Sequence, residues 1–190
     1  HSANVEKAAI DAGVQPRELV DPWAVTWKAS FDQFEISYDR FIRTTDEDHS
    51  RASTEMVRRA MEAGDIYKGV YSGWYCPGDN EFKTEAQLVD GRCPDHPTLE
   101  LQWLEEENWF FRLSAYQERL ERHFLENPEF VEPAYRRNEM LGFIRQGLED
   151  FSISRAGAGW GIPFPIAENG ETSQREDGSW DPEAGTIYVW

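Results

Sequence analysis

The two cysteines constrain this chain more than any other feature. Each opens a short turn that carries a second residue of metal-ligating type three positions on: Cys76–Pro77–Gly78–Asp79, then Cys93–Pro94–Asp95–His96. Two such pairs joined by a short loop have the spacing of a zinc site. Pro77–Gly78 and Pro94–Asp95 favour the tight bends that fold two side chains onto one ion. Asp79 is the unusual member, because a carboxylate oxygen is a harder and less zinc-selective donor than sulfur. Ordinary buried thiols, a disulfide, or a metal-free version of the same knuckle are the alternatives. The N-terminus His1–Ser2–Ala3–Asn4 lacks the basic region and apolar run of a secretory signal. Two cysteines in so long a chain make no disulfide scaffold, so a reduced, cytoplasmic setting is expected.

At 190 residues the chain is long enough for one well-buried domain with a small appendage. Its 39% hydrophobic content and eight tryptophans are those of a globular protein. No uncharged apolar stretch approaches membrane-spanning length, so no membrane partner is expected. The net charge of −17 argues against a generic nucleic-acid surface, and no DNA partner is expected, because polyanions repel without a local basic patch. The nearest approach to such a patch is Arg136–Arg137 with Arg145 and Arg155, which is thin.

The periodicity predicts a helix over 2–12 with Ser2 as N-cap and Gly13 as its stop. A second helix opens at Pro16 and carries Leu19, Trp23 and Trp27 at near-helical spacing. A third runs through Ser53–Ala63, with Met56, Val57, Ala60 and Met61 on one side and Gly64 ending it. The pattern turns to β from Ile66 to Tyr75, interrupted by Gly69 and Gly73, and Leu99–Leu104 alternates as a returning strand. The two half-sites thus fall at the tips of a small β substructure. A helix over Phe110–Phe124 follows, then one from Pro133 with Met140, Leu141, Ile144 and Leu148 inward. Phe151–Ser154 reads as a short strand and Trp160–Pro163 as a tight turn. Residues 167–185 read as a surface loop, and Thr186–Trp190 as a strand. A β-strand ending at Trp190, and a helix starting almost at His1, give the expectation of a piece of a larger α/β domain.

Seven segments in order carry a family resemblance: Phe41–Ile42–Arg43–Thr44–Thr45, Ala63–Gly64–Asp65–Ile66–Tyr67, Leu88–Val89–Asp90–Gly91–Arg92–Cys93–Pro94, Asn108–Trp109–Phe110–Phe111–Arg112–Leu113, Arg137–Asn138–Glu139, Asp150–Phe151–Ser152–Ile153–Ser154–Arg155 and Tyr188–Val189–Trp190. Together they resemble methionyl-tRNA synthetases, most closely the bacterial and organellar members with one zinc knuckle. The resemblance covers essentially the whole chain. The knuckle and the Asp-Phe-Ser-Ile-Ser-Arg context set it apart from the leucine and valine enzymes of the same class.

That resemblance implies an α/β fold, part of a Rossmann-type class I catalytic domain with a small β zinc-knuckle insertion and flanking helices. Residues 1–64 would be the helical part of the Rossmann core. Residues 65–150 would be the connective-peptide insertion, with its knuckle at 76–96 and the helices that follow, and 151–190 the return to the core strands. The implied activity is ATP-dependent activation of methionine and its transfer to tRNA(Met). Methionine, ATP with magnesium, and the tRNA are then partners of the parent enzyme. Trp190 would wall the methionine pocket, a task that suits a flat aromatic facing a polarizable thioether. Arg155 is the weaker candidate, for an active-site role. Zinc on Cys76, Asp79, Cys93 and His96 would be structural, since four protein ligands leave no open position.

Three departures from the family pattern stand out. The His-x-Gly-His and Lys-Met-Ser-Lys-Ser segments that bind ATP are absent from this sequence and would belong before His1 and after Trp190. Asp79 stands where single-knuckle relatives usually have cysteine. The 167–185 loop is longer than the family norm. The chain by itself is expected to fold but not to charge tRNA. A non-catalytic zinc-knuckle module that binds protein or tRNA is the competing reading.

Overall fold

The computed structural model describes residues 1–79, 81–155, 159–166, 171–175, 179–181 and 184–187. Helix α1 (Ala3–Ala12) begins as expected at Ser2, whose Oγ accepts from the Val5 amide at 3.2 Å. It ends at Gly13, which takes the left-handed conformation at φ 69°. Helix α2 (Pro16–Gln33) has Pro16 in its first turn, and the Gln15 amide donates to Glu18 at 3.1 Å. The Trp23 and Trp27 stripe faces outward, at 63% and 60% exposure. Helix α3 (Glu47–Glu62) turns Val57 into the core, with Ala60 and Met61 packed against it. Met56, expected on that same side, is exposed instead.

Two long strands dominate the middle of the chain. β1 (Ile66–Cys76) pairs antiparallel with β3 (Gln102–Phe111), from Ile66 opposite Phe111 to Tyr75 opposite Gln102. β2 (Glu81–Lys83) lies on the outer side of β1, and β4 (Phe151–Ser152) on the outer side of β3. Because side chains alternate across the pleat, the ribbon has two unlike faces. Tyr67, Tyr71, Tyr75, Phe82 and Phe110 share one face as a train of ring contacts. Gly69 and Gly73 lie on that same face and make room for it. A Cβ on Gly69 would stand 3.3 Å from the Phe110 ring, and one on Gly73 3.2 Å from Tyr71. Ile66, Trp74 and Cys76 lie on the other face, with Trp74 edge-on to Trp103.

β3 runs through Phe111, where a helix starting at Phe110 was expected. A run such as Trp109–Phe110–Phe111 fits strand and helix alike, and here cross-strand partners decide. Phe110 and Phe111 lie opposite Tyr67 and Ile66 on one side, Ser152 and Phe151 on the other. The helical stretch begins only with a 3-10 turn at Leu113–Tyr116, continued by α4 (Gln117–Glu126). α4 packs on α5 (Ala134–Gln146) around Phe124, Leu141, Ile144 and Leu148. Gln117 ties the two together: its side chain donates to the Ile144 carbonyl and accepts from the Leu148 amide. Met140, expected inward, is exposed.

Phe151–Ser154, expected as one strand, divides between two sheets. β4 stays with β3, while β5 (Ser154–Arg155) joins a three-stranded sheet with β6 (Ile162–Pro163) and β7 (Thr186–Ile187), in the order β5-β7-β6. Ile153 between them is buried in the main core with Val57, Ile66, Ile162, Phe164 and Ile187. The segment expected as a turn at Trp160–Pro163 therefore contributes a strand. In the stretch expected as a surface loop, Ser173 is 3% exposed and its amide donates to the Pro165 carbonyl at 3.0 Å. Every strand pairing among the described residues is antiparallel.

Candidate metal centre

The tip of the β1–β2 hairpin and the turn at 93–96 bring together the four residues singled out by spacing. One ligand-type atom from each of Cys76, Asp79, Cys93 and His96 lies within 4.8 Å of the other three. β1 delivers Cys76 as its last residue, and the turn that follows delivers Asp79. Both cysteines are free thiols with no exposed surface. Gly78 is required by close approach: a Cβ there would sit 2.4 Å from the His96 ring. The imidazole thus lies directly over the backbone of the first turn.

The distances lie close to, and on both sides of, those around a tetrahedral ion. Zinc–sulfur bonds of about 2.3 Å and zinc–nitrogen or zinc–oxygen bonds of about 2.0–2.2 Å place ligand atoms about 3.3–3.8 Å apart. Here Cys76 Sγ and Cys93 Sγ lie 3.9 and 4.0 Å from His96 Nδ1. Asp79 Oδ1 is 3.0 Å from His96 Nδ1, and Asp79 Oδ2 is 3.0 Å from Cys93 Sγ. Two soft thiolates, an imidazole and one carboxylate form a donor set of zinc type. The residues fit such an ion.

The electrostatics favour the ionised carboxylate at Asp79 but the neutral thiol at Cys93. The Cys93 thiol and the Lys83 ammonium, both bonded to Asp79, hold its carboxyl down to about 2. The Asp79 carboxylate in turn pushes the Cys93 thiol above its ordinary value. A divalent cation among these groups inverts that second effect, because a coordinated thiol gives up its proton.

Other residues fall elsewhere. The Arg155 guanidinium lies 5.1 Å from the centre of the Phe82 ring and donates to Ser152 Oγ at 3.2 Å and to the Ser154 carbonyl at 3.1 Å. It sits in β5, outside the four-residue group. Trp190 lies outside the described residues. Lys83 escaped sequence reasoning. Its ammonium is 2.9 Å from Asp79 Oδ2, with the side chain 10% exposed. Its spacing of four from Asp79 was the available signal, but in a strand after a turn that spacing carries no rule.

The candidate metal centre thus sits at the tip of a hairpin between helices and small sheets, and similarity to known proteins gives the family. The family model for class I tRNA synthetases (M) matches residues 1–102 and 99–190, and the chain belongs to that family. It is 43% identical over its whole length to the methionine–tRNA ligase of Thermosynechococcus vestitus, of which it covers 33%. It is 42% identical to that of Caldanaerobacter subterraneus, again over its whole length and 27% of the relative. Among solved structures, Mycobacterium tuberculosis methionyl-tRNA synthetase in complex with methionyl-adenylate matches with a TM-score of 0.76 at 44% identity. That match covers 87% of this chain and 33% of the other. The chain therefore spans about a third or less of the relatives it matches.

Proposed function

We propose that this chain is the central segment of a methionine–tRNA ligase. The complete protein would activate methionine with ATP and magnesium and pass it to tRNA(Met) in the cytoplasm. The observation that carries this reading is the match to a synthetase whose structure holds methionyl-adenylate, over most of the chain at 44% identity. Among the described residues no helix is long and apolar enough to cross a membrane.

On this reading residues 1–64 are helical core, 65–150 the connective insertion and 151–190 the return to core. The change from α3 to β1 across residues 63–65 supports the first boundary, and the change of sheet between β4 and β5 falls at Ile153, close to the second. The insertion is rooted in the core, since Ile66, Trp109 and Phe111 pack with Val57, Ile153 and Phe164. Bound zinc would cross-link the hairpin tip to the 93–96 turn and take no part in bond making. ATP with magnesium supplies the activated phosphate. Trp190 walls the methionine side chain. Arg155 is the weaker candidate for an active-site role, and its contacts with Ser152, Ser154 and Phe82 favour a structural one.

The test is methionine-dependent exchange of pyrophosphate into ATP by the full-length protein. Exchange that requires methionine, followed by charging of tRNA(Met), is expected. A folded full-length protein that takes up zinc yet exchanges no pyrophosphate with any amino acid would favour the binding module instead.

A further inference from the structure

Lys83 is a cation drawn inward at a place where lysines normally reach for water. It ends the short edge strand β2, opposite Trp74 and therefore on the same face as Cys76. Lysine is seldom buried unless paired, and this one keeps only 10% of its side-chain surface exposed with its ammonium 2.9 Å from Asp79 Oδ2. The two carboxylate oxygens of Asp79 thus have different partners. Oδ2 receives Lys83 and, at 3.0 Å, the Cys93 thiol, while Oδ1 faces His96 Nδ1 at 3.0 Å.

We propose that Lys83 is the positioning residue that makes Asp79 a working fourth ligand. This rests on the reading of the site as a zinc centre. A free carboxylate can rotate and bind a metal through one oxygen or two. An ammonium fixed on Oδ2 holds the plane of the group and offers Oδ1 as a single donor. Charge supports the same assignment. Two thiolates, one carboxylate and a neutral imidazole around a divalent ion leave one net negative charge, which the ammonium cancels. Groups that hold a ligand in place commonly change metal affinity 10- to 100-fold when removed.

The experiment uses the full-length protein, zinc affinity by competition with a chelating indicator, and the visible absorption of the cobalt(II)-substituted site. K83M is expected to weaken zinc by roughly 10- to 100-fold and to shift the cobalt bands. K83R, which keeps charge and donor, is expected to restore affinity to within a few-fold. In the D79C background the carboxylate is gone, so adding K83M should cost clearly less than in the wild type, because only the charge of the ammonium is lost and not its hold on a ligand. An equal loss in both backgrounds, or unchanged affinity and spectrum in K83M, would overturn the role of Lys83 while leaving the zinc centre standing. A wild-type protein that takes up no zinc would remove the centre and this role together.

Discussion

The β1–β3 ribbon is held in different ways at its two ends. At the base, Trp109 stacks on Phe164 with ring centres 5.3 Å apart and planes 4° from parallel. Ile66, Ile153, Ile162 and Ile187 close around them. At the tip, two thiols, an imidazole, a carboxylate and an ammonium converge, and Trp74 and Trp103 meet edge-on beside them. Trp103 is 56% exposed and Phe164 is not exposed at all. Burial of apolar area is non-directional and survives small shifts, whereas ligand geometry does not. The base should therefore fold without a metal, and the tip should depend on one.

Removing a ligand breaks that comparison most sharply. Cys93→Ala is expected to abolish tight zinc binding, a contribution of about 10–16 kcal/mol in isolated knuckle peptides. Protease resistance and amide protection should fall across residues 70–100 of the full-length protein, while the amides of Phe110 and Ile153 stay protected. An intact tip in C93A would refute the metal-dependent reading. The reciprocal change is Phe164→Ala, which should cost about 3–5 kcal/mol through the lost ring and the cavity it leaves. Chemical denaturation should show early loss of the β3 base, with cobalt absorption of the tip unchanged below the transition. A smaller effect is expected from Gly78→Ala. Its methyl would fall 2.4 Å from the His96 ring, so the imidazole must move and zinc affinity should drop roughly 10-fold or more, as for disturbed ligand orientation generally. Unchanged affinity in G78A would mean that His96 is not held against that turn.

The same contrast explains what was legible in the sequence. The four candidate ligands were readable because ligand chemistry is written in residue type and short spacing, and all four converge. The caps of α1 were readable for the same local reason: Ser2 and Gly13 act within one turn. The end of β3 was not, because Phe110 and Phe111 are held by Tyr67, Ile66, Phe151 and Ser152, partners about forty positions away along the chain. Ile162–Pro163 resembles a turn locally and becomes a strand only by pairing with Thr186–Ile187. Lys83 was invisible for a related reason, since nothing in a strand-and-turn sequence marks a lysine as turned inward. The outward-facing Trp23 and Trp27 have helical spacing, yet that spacing alone does not say what a helix face meets.

The smallest effect concerns the join between ribbon and helices, where a single carboxylate collects three donors. Asp150 accepts from Ser114 Oγ at 2.6 Å, from the Ser114 amide at 3.1 Å and from the Tyr67 hydroxyl at 2.9 Å. The Ser114 hydroxyl bond is the main cause that holds its carboxyl below the usual value, and burial acts in the opposite direction. A carboxylate whose value is lowered on folding contributes stability that is fully present above its unfolded value and is lost as pH falls through the folded one. Asp150→Asn should therefore cost about 1 kcal/mol near neutral pH, since the site is partly open to solvent. The gap between wild type and D150N should narrow as pH falls below about 4, near the ordinary aspartate value. Urea titrations of both proteins at several pH values would show this as converging midpoints. A gap that stays constant, or widens in acid, would mean that Asp150 joins the ribbon to the helices by shape rather than by charge.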